Sequence, residues 1–141
     1  MDTILQELND FRKRFPKELV MYYPYPALKR AFSKGEITLY RDDNGDIEGY
    51  LWLKDLKTKG ISRIEEIYSI RKGLGSTMMR DAKRRSKYLT IELKVLDFNE
   101  RAINFYKKHG FKEVSRETGK AKNNITMTFI KESEDNNFYL F

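Results

Sequence analysis

Two hydrophobic rhythms alternate along the chain, and each change of rhythm marks the edge of an element. From residue 3 to 15, Ile4, Leu5, Leu8, Phe11 and Phe15 recur at three- and four-residue spacings, which predicts an amphipathic helix that stops before Pro16. A second helix is predicted over 25–34 (YPALKRAFSK), with Gly35 as its C-terminal cap. The period then falls to two. The stretch ITLYRDDNGDIEGYLWLKDL gives two strands around Asn44-Gly45, a strong hairpin dipeptide, and SRIEEIYSI (62–70) gives a third. Helical spacing returns from Gly75 to Lys87 and is followed by a strand over 88–96 (YLTIELKVL). A short helix over 99–110 opens on Asn99 and closes on Gly110, and two strand-like runs, FKEVSRE and NITMTFIK, complete the pattern. Strand 62–70, helix 75–87 and strand 88–96 make a β-α-β unit, which calls for a right-handed parallel crossover. The predicted class is α/β with a mixed sheet, and 141 residues suit a single domain.

Composition narrows the chemistry. There is no cysteine, which removes disulfides, thiolate metal sites and a cysteine nucleophile together and suits a reducing compartment. No segment approaches the roughly 20 apolar residues that span a bilayer, and the start of the chain is acidic and amphipathic, unlike a signal peptide. A cytoplasmic location is the expectation. The formal charge of +7 favours an anionic partner, either a nucleic acid or a phosphorylated cofactor, against the alternative of a solvated basic surface. RDAKRRSK (80–87) sets Arg80 beside Arg84 and Lys83 beside Lys87 on a helix, where a solvated face is preferred to a nucleic-acid contact. The regular stacking aromatics of RNA-binding sheets are missing. His109 is the single histidine and precedes a capping glycine on the expected solvent side, so a serine–histidine triad is excluded. No carboxylate or histidine cluster has metal-ligand spacing, and no metal is expected.

Two stretches carry more specific information. In IRKGLGSTMM (70–79) a strand passes through a glycine turn directly into a helix. Such a turn leaves first-turn N–H groups facing outward at the positive end of the helix dipole, a good phosphate site, and Arg71 and Lys72 would add charge. It is neither a Walker loop nor a dinucleotide fingerprint, and a purely structural turn is the competing reading. The second stretch is DFNERAINFYKKHGFKEV (97–114). With RKGLGSTMM upstream and NERAINFYKKHGF here, in that order and separation, residues 36–130 resemble the GNAT superfamily of acyl-CoA-dependent N-acetyltransferases.

The resemblance implies a GNAT-like mixed sheet, antiparallel at its N-terminal side with a splayed parallel pair in the centre and helices on both faces. It implies one domain: a helical acceptor-side segment (1–35), a cofactor-binding part (36–131) and a tail (132–141). Acetyl-CoA is the implied donor, its pyrophosphate held by the turn Arg71, Lys72, Gly73, Leu74, Gly75 and Ser76. The pantetheine arm would lie between strands 62–70 and 88–96 like an added strand, against backbone groups of Ile67, Tyr68 and Ser69. Asn99 and Tyr106 match residues that contact the cofactor in the family. One departure is plain: the family carries Gln or Arg three residues before the first glycine, where this chain has Ile70 after a shortened connection. That motivates a rival expectation, a GNAT-fold acyl-CoA-binding module with weak catalysis.

Acyl transfer to an amine needs a base for the ammonium proton, a donor for the oxyanion and a stabiliser for the leaving thiolate. Glu65 and Glu66 are the candidates for the base. Strand alternation sends them to opposite faces, so only one is expected to meet the acceptor, Glu65 being preferred; ordinary ion pairing with Lys or Arg is the alternative for both. Tyr106 is the candidate acid and also an amphipathic aromatic that packs its helix onto the sheet. Tyr22, Tyr23 and Tyr25, in MYYPYPALKRAF, lie where GNAT-like folds build the acceptor pocket and could cradle a cationic amine, against a core-packing alternative. The expected partners are acetyl-CoA and a primary amine of a small molecule or protein, with the chain a monomer or homodimer.

Overall fold

The computed structural model describes residues 3–16, 23–118 and 123–132. The elements run α1 (Thr3–Arg12), α2 (Tyr25–Ser33), β1 (Ile37–Arg41), β2 (Ile47–Leu56), β3 (Ile61–Ser69), α3 (Leu74–Arg85), β4 (Thr90–Leu96), α4 (Glu100–Lys108), β5 (Lys112–Thr118) and β6 (Asn123–Ile130). Every helix and strand expected from the hydrophobic pattern is present in the expected order. The main shift is at the α3–β4 join. The helix stops at Arg85, where Ser86 turns extended (ψ 133°) and its N–H bonds to the Ala82 carbonyl. Tyr88 then donates its N–H to the Ser62 hydroxyl instead of entering the strand.

The six strands form one sheet in the order β1-β2-β3-β4-β6-β5. Only β3 and β4 are parallel; all other neighbours are antiparallel. The β1–β2 turn is shaped by Asp42, whose carboxylate accepts the N–H groups of Asn44 and Asp46, and by Gly45 at φ +86°. Helices cover both faces. On one, Met78 and Met79 of α3 and Tyr106 of α4 pack over Leu51, Ile64, Ile91, Leu93 and Met127. On the other, Leu5, Leu8 and Phe11 of α1 and Leu28 and Ala31 of α2 pack over Ile47, Tyr50 and Trp52. Burial of these side chains is the main force holding the layers together, at roughly 1.5–3 kcal/mol for each large one. Among the described residues, no helix is long and apolar enough to cross a membrane.

Strict alternation fails at one place. Trp52 of β2 faces Glu66, but the next residue, Leu53, faces Ile64, so Glu65 is an extra residue in β3. A bulge of this kind puts two residues of one strand opposite one of its neighbour. Ile64 and Ile67 consequently both pack towards α3 and α4, whereas Glu65 and Glu66 both meet Tyr23 on the side of α1 and α2. The expectation that the two glutamates point to opposite faces is therefore corrected.

Candidate active site

The parallel pair supplies the central feature. β3 and β4 are in register for four residues only, Ile61–Ile64 against Thr90–Leu93. Beyond that point β3 stays with β2 and β4 stays with β6, so the two strands part. Between them lies a cavity of about 120 Å³, with Ile67 and Tyr68 on one bank and Val95, Leu96 and Tyr106 on the other. Past Ile64 and Leu93 the facing edges of the two strands are no longer joined to each other. The cavity continues into a wider groove of about 660 Å³ between α4 and the start of α3, lined by Ile67, Ser69, Gly75, Asn99, Phe105 and Tyr106 among others.

The sequence explains how each wall is placed. Asn99 caps α4, its Oδ1 accepting the Ala102 N–H at 3.2 Å, and so holds the helix start at the mouth of the cavity. Tyr106 lies two turns on, 9% exposed, and burial pushes its phenol up to about 12. Gly73 ends the β3–α3 turn at φ +89°, a conformation that favours glycine. Gly75 serves packing: a Cβ there would meet the Phe105 ring at 3.1 Å. Leu74 is 2% exposed and packs towards Gly49 of β2, so only its backbone is available to a ligand. Arg71 points away from the turn, its Nε donating to Glu48 Oε1 at 2.9 Å.

Beside the groove, Ser76 Oγ lies 3.2 Å from His109 Nε2. Partial burial, then the nearby Lys83, Lys108 and Arg80, lower the His109 pKa. Lys83 does not join a free basic stripe: its Nζ donates to the His109 carbonyl at 2.5 Å and sits 3.9 Å from the centre of the Phe129 ring.

On the other side of the sheet, Glu66 is locked. Its carboxylate receives Arg12 Nε at 2.9 Å and Nη2 at 2.6 Å, the Tyr50 hydroxyl at 2.6 Å and the Tyr23 N–H at 3.0 Å. Its side chain is wholly buried. Of the two alternatives open for this residue, the ion pair describes its surroundings, and no lone pair is left for an acceptor proton. Glu65 differs. Its side chain is only 5% exposed, Arg63 Nη1 stands 3.7 Å from Oε1, and Oε2 has no hydrogen-bond partner among the described residues. The Tyr23 phenol lies beside this carboxylate, and burial together with that charge raises the phenol's pKa. A buried carboxylate oxygen with nothing bound to it is costly unless something else fills the position.

Of the residues singled out in the sequence, the structure brings Ile67, Tyr68, Ser69, Gly75, Asn99 and Tyr106 together around the groove. Glu65 and Glu66 border the narrower cavity. Lys72 and Gly73 are exposed on the turn ahead of α3, and Ser76 is half-buried in its first turn. Tyr23 borders a small recess with Glu65, Trp52 and Glu36, and both Tyr23 and Tyr25, at the start of α2, are 36% exposed. Tyr22 lies outside the described residues. Arg12 and Tyr50 beside Glu66, and Met78 and Phe98 in the groove, carry no motif that marks them, and Phe15 lines the groove as well as belonging to the apolar spacing of the first helix. A signal existed for Arg12, which follows Leu5 and Leu8 on the apolar stripe of α1 at seven- and four-residue spacings.

A parted parallel pair, with a groove leading from it to a glycine turn at a helix start, defines the class of fold and site. A family model for the acetyltransferase (GNAT) domain matches residues 34–113, and the chain belongs to that family. No curated protein sequence is similar enough to match. Solved structures agree in fold. A GNAT-family acetyltransferase from Bacillus cereus ATCC 10987 aligns at TM-score 0.67 and 16% identity, over 77% of this chain and 80% of that one. The NatB acetyltransferase complex bound to CoA and MES aligns at 0.67 and 17%, over 79% and 84%. Nourseothricin acetyltransferase aligns at 0.57 and 18%, over 68% and 65%. At such identities the likeness is one of fold.

Proposed function

We propose that this protein is an N-acetyltransferase that moves an acetyl group from acetyl-CoA to a primary amine by direct attack in a ternary complex. The observation that carries the proposal is the separation of β3 from β4 after Ile64 and Leu93, which opens a cavity continuous with a groove large enough for an extended thioester arm. That a structural neighbour is solved with CoA supports the choice of donor.

In this reading the edge of β3 that has parted from β4, along Ile67, Tyr68 and Ser69, binds the arm as a strand would, and one N–H faces the carbonyl oxygen on which charge develops. The first turn of α3, with Lys72, Gly73 and Ser76 around it, receives the pyrophosphate. The bound thioester supplies the acyl group. Glu65 takes the proton of the acceptor ammonium on Oε2, which has no hydrogen-bond partner among the described residues, directly or through a water, while Glu66 stays an anchor. Tyr106, at the junction of cavity and groove, directs its hydroxyl at the leaving sulfur.

A second reading has one observation behind it. Arg71, the residue best placed to replace the missing family Gln or Arg, is paired with Glu48, and Ile70 beside it offers no charge. A chain that binds acyl-CoA but transfers poorly would be built this way. Titration calorimetry with acetyl-CoA, followed by thiol release over a panel of amines, separates the two. Binding with turnover on at least one amine is expected; binding with none supports the module; no binding at all defeats both.

A further inference from the structure

Arg12 and Glu66 are 5% and 2% exposed, a buried ion pair between the end of α1 and the bulge in β3. Taking two charges out of water costs several kcal/mol per ion, and well-packed apolar residues often replace such pairs without loss of stability. What the pair does locally is written in its remaining contacts. Arg12 Nη2 donates to the Tyr23 carbonyl at 2.9 Å, and Glu66 Oε2 accepts the Tyr23 N–H at 3.0 Å. Both polar groups of one residue's backbone are thus held by the two partners of one ion pair, just ahead of α2. The side chain so held has two neighbours. Its ring lies 5.1 Å from that of Trp52, and it lines one recess together with Glu65.

We infer that Arg12 and Glu66 act as a positioning clamp that docks Tyr23 between Trp52 and Glu65, and that docked Tyr23 orients the Glu65 carboxylate towards the incoming amine. With Arg63 near Oε1, Oε2 is the oxygen without a partner among the described residues and is the one the proposal assigns to the acceptor. The catalytic consequence rests on the acetyl-transfer reading; the clamp itself does not. None of these three is a catalytic residue. They act through Glu65.

Trp52 is the sole tryptophan and 4% exposed, so its emission reports whether Tyr23 covers it without any assay of activity. The double variant Arg12→Met/Glu66→Met keeps an apolar core. It is expected to melt cooperatively, to shift Trp52 emission to longer wavelength, and to lose at least tenfold in kcat with the Kd for acetyl-CoA unchanged. Tyr23→Phe should keep the emission and lose the turnover, and Tyr23→Ala should lose both. Unchanged emission and unchanged kcat in a folded double variant overturn the clamp. If the double variant does not fold, Tyr23→Ala decides, because wild-type emission and kcat there overturn the proposal equally. A wild-type protein that neither binds acetyl-CoA nor turns over defeats the acetyl-transfer reading, and the emission shift still tests the clamp alone.

Discussion

Replacing Tyr106 by Phe removes one oxygen from the place where the leaving sulfur is expected and changes little else. The ring packs against Phe105 and Phe111, at centroid separations of 5.7 and 6.0 Å, and Phe keeps those contacts. The hydroxyl has a phenol pKa of about 12. An alkyl thiol sits near ~8.5, so full transfer of the phenolic proton to a free thiolate is uphill by roughly 3.5 pKa units, or about 5 kcal/mol. Tyr106 is therefore better suited to give a hydrogen bond to sulfur as charge builds than to deliver its proton early. A hydrogen bond to a charged group contributes about 1.5–3 kcal/mol, which predicts a fall in kcat of roughly 10- to 150-fold. KM for acetyl-CoA should move little, because the bond strengthens only as the thiolate forms. The melting temperature should hold or rise slightly. Thiol release followed under saturating acetyl-CoA, with a thermal melt alongside, measures all three. A kcat within twofold of wild type in a folded Tyr106→Phe protein would refute the assignment. A raised KM with unchanged kcat would instead make the hydroxyl a ground-state contact.

Three further outcomes are expected. Glu66→Gln leaves the Arg12 guanidinium buried without its counter-charge, and denaturant unfolding should show a loss of about 3–5 kcal/mol. Gly49→Ala puts a Cβ 2.8 Å from Leu74 Cδ2 and 3.0 Å from the Tyr68 carbonyl oxygen. The buried Leu74 side chain has to turn aside and the Tyr68 carbonyl has to give by a few tenths of an ångström, at a cost of about 1–3 kcal/mol, and calorimetry should find weaker acetyl-CoA binding because Leu74 opens α3. His109 has a lowered folded pKa, so the unfolded chain binds the proton more readily than the folded one. Stability should then fall as pH drops from the ordinary value of 6.5 to that lower folded value. The single imidazole resonance should titrate below 6.5 by NMR, and His109→Gln should flatten that part of the pH–stability curve.

The elements were legible because their hydrophobic spacings are nearly free of conflict. The Asn99–Gly110 helix shows its cap, its apolar positions and its stop within a dozen residues, and Asn44-Gly45 fixes the hairpin turn. What alternation could not reveal is the bulge at Glu65. An inserted residue is defined by the strand across from it, and the doubled glutamate in IEEIY fits a regular strand with apolar residues on both faces as well as one with a surplus member. Arg12 was hidden for a related reason. A charge on an apolar stripe reads as an irregularity until its partner, 54 residues away, is seen beside it. Gly75 was legible as a glycine needed near a helix start, but sequence could not tell approach by a phosphate from approach by Phe105.

The short pairing of β3 with β4 also bears on inheritance. Much of what this cleft would offer a ligand is main chain, and every amino acid except proline brings the same amide and carbonyl. Substitution can exchange the surrounding side chains one after another while those contacts persist, provided the strands still diverge where they do. Lineages built on such a scaffold are free to change what they acylate long before they forfeit the means of holding a donor, which suits a protein that shares its architecture with distant acetyltransferases at 16–18% identity.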